Sequence, residues 1–156
     1  RADVVIDTTS FTVHDLRRHL IEYIGRDVDR PSMVVRLISF GFKYGIPVDA
    51  DLVFDLRFLP NPHFVPALRP KTGLDPEVSD YVLFAPETRE LLQHLGPLLS
   101  FAIPHYAREG KAYLSLALGC TGGRHRSVAM VEELARQLSG EHDVVVMHRD
   151  AGRVAS

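Results

Sequence analysis

The stretch that decides the fold is residues 112–138, AYLSLALGCTGGRHRSVAMVEELARQL. Its first part, Ala112 to Leu118, is a continuous apolar run, which predicts a buried strand. Its last part, Ser127 to Leu138, repeats apolar residues at the spacing of an amphipathic helix. Between them, Gly119 to Ser127 is rich in glycine and arginine. The stretch therefore predicts a strand, a tight loop and a helix in direct succession.

This loop has the features of an anion-binding site. Its glycines allow tight turning and close approach to a ligand. The free N–H groups of the following helix and the helix dipole favour negative charge, and arginine suits bidentate phosphate binding. We expect the ligand to be held by Cys120, Thr121, Gly122, Gly123, Arg124, His125, Arg126 and Ser127. The alternative is a turn in which the glycines serve packing and the arginines are solvated.

The rest of the chain alternates apolar runs with helical patterns. We predict an α/β fold with a mainly parallel sheet flanked by helices. The predicted strands are 4–6, 32–40, 52–56 and 144–146, and the other predicted helices are 13–24, one beginning at Asp75-Pro76-Glu77, and 87–106. Pro97 and Pro104 predict a kink or a break in the helix over 87–106. The Pro-rich stretch 57–74 predicts an ordered functional loop, and the chain from Asp150 a flexible tail.

Length, composition and charge limit the classes of protein to which this sequence can belong. The 156 residues suffice for one domain with a proper core, and the net charge of −2 is not that of a polycation. One cysteine, Cys120, excludes an internal disulfide and favours a reducing compartment. The sequence has no apolar run of the roughly 20 residues that span a bilayer, and no signal-peptide pattern. We expect a cytoplasmic protein without a membrane partner.

A second polar cluster follows the strand predicted at 52–56. Asp55 and Arg57 would lie on one face of that strand, because strand side chains repeat every two residues. Ligands bind at the carboxyl ends of parallel strands, so we expect Asp55, Arg57, Asn61 and His63 to complete the pocket. Asp55 would hold an amine or a sugar hydroxyl. The alternative is a structural Asp55–Arg57 pair and a surface His63.

His148 and Arg149, just after the last predicted strand, are further candidates for the pocket. A solvated chain end is the alternative reading of these two residues.

The loop also fits the spacing Cys-x5-Arg-Ser, from Cys120 to Ser127. That spacing resembles the phosphate loop of cysteine-dependent phosphatases, in which a thiolate attacks phosphorus. Such an enzyme also needs a general acid, for which Asp55 or His63 is a candidate. We favour binding without turnover, and keep the phosphatase as the alternative.

Metals and cofactors are not expected in this domain. Asp49, Asp51 and Asp55 lack the glycine and terminal glutamate of a calcium loop, and no Cys/His set has zinc spacing. A GxxxxGK[ST] motif is absent from the sequence, so no ATP site of that type is expected.

Three stretches together resemble the RapZ/YvcJ family. They are residues 39–45, SFGFKYG, residues 55–63, DLRFLPNPH, and residues 119–127, GCTGGRHRS. The resemblance extends from about Ala2 to Arg149. It implies a domain whose fold is similar to part of phosphofructokinase, preceded over residues 1–25 by the end of a P-loop NTPase domain. The C-terminal domain would be residues 30–150, with a flexible tail at 151–156.

The resemblance also implies a function. The domain would sense glucosamine-6-phosphate through Asp55, Arg57, His63, Thr121, Gly122, Gly123, His125 and Arg126. Homo-oligomers are implied, as are small-RNA binding and presentation of that RNA to an endoribonuclease, as in enteric bacteria. ATP or GTP binding would belong to the NTPase domain.

The sequence departs from the enteric pattern at two places. Residue 124 is arginine rather than lysine, and the tail carries fewer cations, which weakens the electrostatic term for RNA. The RNA-contacting residues would be Lys43, Arg124, Arg149 and Arg153. We therefore expect a metabolite-binding regulatory domain rather than an enzyme, with RNA-adaptor activity less favoured.

Overall fold

The structure is a computed structural model that describes residues 12, 13, 16 and 33–153. The strand predicted at 4–6, most of the helix predicted at 13–24 and residues 154–156 lie outside the described residues.

The described chain alternates strands with helices, as the sequence predicts. The strands are β1 (Val34–Gly41), β2 (Leu52–Asp55), β3 (Tyr113–Cys120) and β4 (Asp143–His148). The α-helices are α1 (Pro76–Leu83), α2 (Pro86–Arg108) and α3 (Arg126–Leu138), and short 3-10 helices lie at Phe42–Tyr44 and Pro62–Phe64. The α/β class is confirmed.

The four strands form one parallel sheet in the order β2-β3-β1-β4. Because all strands run the same way, their carboxyl ends meet at one edge of the sheet. Gly41 and Cys120, the last residues of β1 and β3, are register partners at that edge. The segments after the strands therefore converge on one place, where open α/β sheets bind ligands.

The main core lies between one face of the sheet and the helices. Leu37 and Leu116 are fully buried on the strands, as is Leu134 on α3, which packs across β1, β3 and β4. A smaller cluster of Ile38, Phe40 and Ala117 lies apart from it and is packed by Phe42 and Ala50 from the chain after β1. Burial on both faces explains why the sequences of β1 and β3 are largely apolar rather than strictly alternating.

Helix α2 continues through both prolines, so the predicted break at Pro97 or Pro104 does not occur. A proline removes one backbone hydrogen bond from a helix interior. Both rings lie on the exposed side of α2, where water can satisfy the freed carbonyl groups. The opposite side is held by buried apolar residues such as Leu99. Packing on that side therefore outweighs the local cost of the prolines.

The chain after β4 is ordered where flexibility was predicted from Asp150 onward. The Arg149 amide donates to the Ser39 carbonyl at 3.0 Å, which extends the pairing of β4 with β1. Asp150 is fully buried, and the Arg153 amide donates to its carbonyl at 3.1 Å. A buried carboxylate anchors this turn over the described residues 150–153, and its partners lie far away in the sequence.

Within the described residues, no helix combines the length and the apolar character needed to cross a membrane.

Candidate functional site

A cleft of about 360 Å³ opens at the carboxyl edge of the sheet. The segments after all four strands contribute to it, as the parallel topology requires. It is lined by Lys43, Tyr44, Asn61, His63, Phe64, Cys120, Thr121, Gly122, Arg124, His125, Arg126 and Arg153. Eight of the twelve ligand-binding residues predicted from sequence are in this set. Asp55, Arg57, Gly123 and Ser127 are not.

The loop between β3 and α3 is shaped by two glycines that have no room for a side chain. A Cβ at Gly119 would overlap the rings of Phe40 and Phe42. Gly123 has φ of +72°, and a Cβ there would lie 2.5 Å from the Gly41 backbone nitrogen. Gly122, in contrast, has no other atom within 4 Å of where its Cβ would be, because it faces the cleft. The loop is therefore packed on one side and open on the other.

The loop carries backbone amides without a hydrogen-bond acceptor in the described protein. No described residue accepts a hydrogen bond from the backbone amides of Thr121, Gly122 or Gly123. His125 occupies the N-cap position of α3 without a side-chain capping bond, so the first turn of the helix also lacks a side-chain acceptor. Unpaired amides at a helix N-terminus favour an anion.

Arg126 does not project its guanidinium group freely into the cleft. The side chain is buried, and Nη1 donates to the carbonyls of Arg57 at 2.8 Å and Leu59 at 3.1 Å. Nη2 donates to Thr121 Oγ1 at 3.3 Å, and Nε has no hydrogen-bond partner. Arg126 thus fastens the anion loop to the chain after β2, while placing a buried positive charge beneath the cleft.

Arg124 also holds the Pro-rich segment. Its Nε donates to the Lys71 carbonyl at 3.0 Å and its Nη2 to the Pro70 carbonyl at 2.6 Å. In return, the Gly73 amide donates to the Arg124 carbonyl at 2.9 Å. The segment 57–74 is therefore an ordered loop, and Arg124 is half-buried against it rather than solvated.

His125 is buried beside the same segment. Its Nε2 lies 3.2 Å from the Arg69 carbonyl, and since a carbonyl only accepts, Nε2 is assigned the proton. Burial lowers the pKa of His125, and the charge of neighbouring Arg124 acts in the same direction. The lowered pKa favours the neutral imidazole, which contacts the backbone of Arg69 and of Lys71.

Asp55 and Arg57 form an ion pair with each other. β2 ends at Asp55, so Arg57 lies in the following turn. The prediction that Asp55 and Arg57 share one face of the strand is therefore wrong. Its Nε and Nη2 both contact the carboxylate, Nη2 at 2.6 Å, and its amide donates as well. These hydrogen bonds hold the pKa of Asp55 below its usual value. The structural pair, left open by the sequence, is what the structure shows, and the carboxylate has no free edge toward the cleft.

Asn61 and His63 lie where the sequence predicts, at the opening of the cleft. The Asn61 side chain accepts a hydrogen bond from the His63 amide at 3.2 Å and so begins the 3-10 helix Pro62–Phe64. This local cap explains why a Pro-rich stretch has a defined shape here. The short helix thus fixes the backbone positions from which the side chains of His63 and Phe64 project.

Cys120 is buried at the end of β3, with Sγ 3.2 Å from Ser127 Oγ. Ser127 is fully buried in the first turn of α3. Cys120 lines the inner end of the cleft, but its thiol is shielded from solvent. The alternative that treats Cys120 as a small residue closing the strand fits this position.

The four cations predicted to contact RNA differ in their freedom. The Arg149 side chain is engaged within the protein. Its Nη2 donates to the Gly45 carbonyl at 2.6 Å, and its guanidinium lies over the Phe40 ring. Arg124 holds the Pro-rich segment. Lys43 and Arg153 are exposed and line the cleft, and both lie over the Tyr44 ring. Arg153 is also paired with Asp150 at 3.0 Å.

His148 is also engaged rather than solvated. Its ring nitrogens contact Ser39 Oγ and Glu132 Oε1, each at 2.8 Å, and it does not line the cleft.

The cleft contains two aromatic residues that the sequence analysis did not single out, Tyr44 and Phe64. Both adjoin motif residues, Lys43 and His63, and both would be exposed if the segments were ordinary loops. Aromatic residues within glycine- and proline-rich motifs were the available signal.

Among the described residues, no three His, Cys, Asp or Glu side chains are grouped so as to hold a metal ion. The three carboxylates considered for calcium are each paired with a cation. These pairs are Asp49 with Arg36, Asp51 with Lys111, and Asp55 with Arg57.

Fold and site together define an α/β domain with a glycine- and arginine-rich loop that lines a cationic cleft at the carboxyl edge of a parallel sheet. Comparison with known proteins identifies its family: the RapZ C-terminal domain matches residues 33–152. The chain belongs to that family, as the resemblance of its motifs predicts.

Relatives are similar along nearly the whole chain. A protein of Desulforudis audaxviator is 52% identical over 156 residues, 99% of this chain and 53% of its own length. A protein of Streptomyces coelicolor is 55% identical over 153 residues, 97% of this chain and 51% of its own length. Both are described as nucleotide-binding proteins. The chain thus spans about half the length of the relatives it matches.

Proposed function

We propose that this domain is a regulatory module that binds a phosphorylated small molecule in the cleft. The observation that carries the proposal is the amide row of Thr121, Gly122 and Gly123, which has no acceptor among the described residues and belongs to a loop whose Thr121 and Gly122 line a cationic cleft. Four permanent cations line that cleft, and the described lining residues include no carboxylate. Such a site stabilises a doubly charged oxyanion through charge-assisted hydrogen bonds.

The family resemblance supports a phosphorylated amino sugar, with glucosamine-6-phosphate as the first ligand to test. Its phosphate would lie at the amide row. Its amine would need an acceptor, and the cleft offers a neutral one in the Asn61 amide oxygen, which has a second lone pair beside the one that accepts from the His63 amide. Asp55 would serve only after releasing Arg57.

The ligand test is calorimetric titration with inorganic phosphate, glucosamine-6-phosphate and unphosphorylated glucosamine. We expect saturable binding of both phosphates and none of glucosamine. Arg126→Ala is a poor test, because Arg126 also holds two backbone carbonyls. Lys43→Gln removes an exposed cleft charge instead. Arg153→Gln removes a second one, with the unfolding free energy measured alongside, because Arg153 also pairs with the buried Asp150 at 3.0 Å. Each should weaken phosphate binding, whereas Arg89→Gln, an exposed cation on α2 outside the cleft, should not. Phosphate binding that is unaffected by both cleft variants would contradict the proposal.

The regulatory part of the proposal rests on the relatives. They are twice as long as this chain and are named for nucleotide binding. We infer that nucleotide chemistry belongs to the other half of such proteins, in the cytoplasm, and that this domain reports ligand occupancy to it. ATP turnover by a full-length relative, measured with and without glucosamine-6-phosphate, tests that coupling. Equal turnover would argue against it.

A cysteine phosphatase is the second candidate, favoured by one observation: the Cys120 thiol contacts Ser127 Oγ at 3.2 Å within the Cys-x5-Arg loop. The buried thiol and the engagement of Arg126 with backbone carbonyls count against it. We expect no release of phosphate from a generic phosphomonoester. Activity that disappears in Cys120→Ser would establish the enzyme instead.

A further inference from the structure

Phe64 is an apolar side chain in an unusual position. It lines the cleft, yet 77% of its surface is exposed to solvent. The neighbouring lining residues are cations and hydrogen-bonding groups, for which solvent exposure is favourable. An exposed aromatic ring in such surroundings is the part of the cleft that gains most from covering by a ligand.

The backbone that carries the ring is held in place before any ligand arrives. The Phe64 amide donates to the Asn61 carbonyl at 3.2 Å, and the Val65 amide donates to the Pro62 carbonyl at 2.9 Å. Arg69 Nε donates to the His63 carbonyl at 2.8 Å, on the same short helix. A rigid platform loses little conformational entropy on binding.

The faces of the Phe64 ring are also free, in contrast to those of Tyr44. Lys43 Nζ and Arg153 Cζ lie 4.8 and 4.5 Å from the Tyr44 ring centroid. No cation of the described chain lies over Phe64, and its recorded ring contact is an edge contact with His63, 6.0 Å away at 77°. Tyr44 is thus occupied by cations, and Phe64 is available to a ligand.

We propose that Phe64 determines ligand specificity. Its side chain would contact the ring of a ring-bearing phosphoester whose phosphate group lies at the amide row. This inference rests on the proposed function and narrows its ligand class to phosphoesters that carry a ring. A pyranose presents weakly positive C–H groups to the negative π face, and a nucleobase stacks on it. The chemistry shared by both is a flat ring face near a phosphate, and Phe64 selects it over acyclic phosphates.

The experiment is calorimetry on the 156-residue chain with four probes: inorganic phosphate, glycerol-3-phosphate, glucosamine-6-phosphate and AMP. We expect Phe64→Leu to raise the Kd of one ring-bearing probe by about three- to tenfold, the size of a lost aromatic contact. The Kd values of inorganic phosphate and glycerol-3-phosphate should change by less than about twofold, because neither reaches the ring. Loss confined to glucosamine-6-phosphate identifies a sugar, and loss confined to AMP a base.

Two variants separate stacking from folding. Phe64→Tyr keeps the ring face and should restore the affinity that Phe64→Leu loses. Phe58→Ala removes another exposed aromatic, 64% exposed and outside the cleft, and should leave all four Kd values unchanged. An equal effect of Phe64→Leu on ring-bearing and acyclic probes overturns the inference while phosphate binding stands. Failure of the unaltered chain to bind any of the four phosphates overturns the proposed function itself, and this inference with it.

Discussion

The Gly41 amide donates a hydrogen bond of 2.8 Å to Oδ2 of Asp150, 109 residues further along the chain. The same carboxylate pairs with Arg149 at 2.7 Å and with Arg153 at 3.0 Å, and it is fully buried. Gly123 packs on both partners, since a Cβ on it would lie 2.9 Å from the Asp150 Cβ. The end of β1, the anion loop and the chain after β4 are therefore joined at one buried charge.

Asp150→Ala should destabilise the fold by about 2–4 kcal/mol, because it leaves the buried Gly41 amide and two guanidinium groups without their acceptor. The free energy of unfolding in urea measures this. Asp49→Ala is the matched control: its carboxylate pairs with Arg36 at 2.8 Å but is 59% exposed, so its loss should cost less than about 1 kcal/mol. Equal costs for the two variants would show that burial of Asp150 does not matter.

Gly123→Ala should cost more than about 2 kcal/mol, since the left-handed backbone alone costs about 1–2 kcal/mol for a non-glycine residue. The added methyl group would also meet the Gly41 backbone, which cannot swing aside. Gly140→Ala, with open space around its Cβ and no positive φ, should change stability by less than about 1 kcal/mol. Urea unfolding of both variants tests the contrast, and a Gly123→Ala protein as stable as the control would refute it.

Gly122→Ala separates folding from binding. Its methyl group meets no protein atom within 4 Å, so the unfolding free energy should stay close to that of the unaltered chain. Because Gly122 lines the cleft, the same methyl group should obstruct an anion at the amide row and weaken phosphate binding. Calorimetry and urea unfolding on one sample check both statements. Unchanged phosphate affinity would show that the anion does not bind next to Gly122.

Stability should fall as the pH drops below about 6.5, through His125. Burial lowers the pKa of His125 from its ordinary value of 6.5, so the unfolded chain binds a proton at pH values where the folded protein does not. Unfolding then takes up a proton, and stability rises with pH across that window. The unfolding free energy at pH 7.5 and 5.5 should differ less in His125→Gln than in the unaltered chain. Equal differences would mean that His125 is not the group involved.

RNA binding, the third interpretation of the sequence, now has a narrower prediction. Of the four candidate cations, Lys43 and Arg153 are the exposed ones at the cleft. Gel shifts over a salt series should show a shallow dependence, and Lys43→Gln should reduce the slope by about one. A steep slope that Lys43→Gln and Arg153→Gln leave unchanged would place RNA elsewhere on the chain.

The α/β class and the position of the loop were predictable because they depend on short-range patterns. The apolar run of β3, the glycines after it and the helical spacing of Ser127 to Leu138 lie within 27 consecutive residues. Backbone conformation at each position follows from neighbours a few residues away. The glycine- and arginine-rich loop and the polar cluster after β2 are also local, and the eight predicted residues that line the cleft come from these two stretches.

Only the tertiary structure decided which charged side chains are engaged in hydrogen bonds within the protein. Arg126 donates to the Arg57 carbonyl across 69 residues, Arg124 to the Pro70 carbonyl across 54, and Asp150 accepts from Gly41 across 109. No periodicity or spacing encodes such partners, because they are set by where parallel strands bring distant segments together. The sequence alone predicted a glycine- and arginine-rich loop at a strand–helix junction. Folding determined that the arginine of the motif, Arg126, is buried and bonded to backbone carbonyls, whereas Lys43 and Arg153 line the same cleft with exposed side chains.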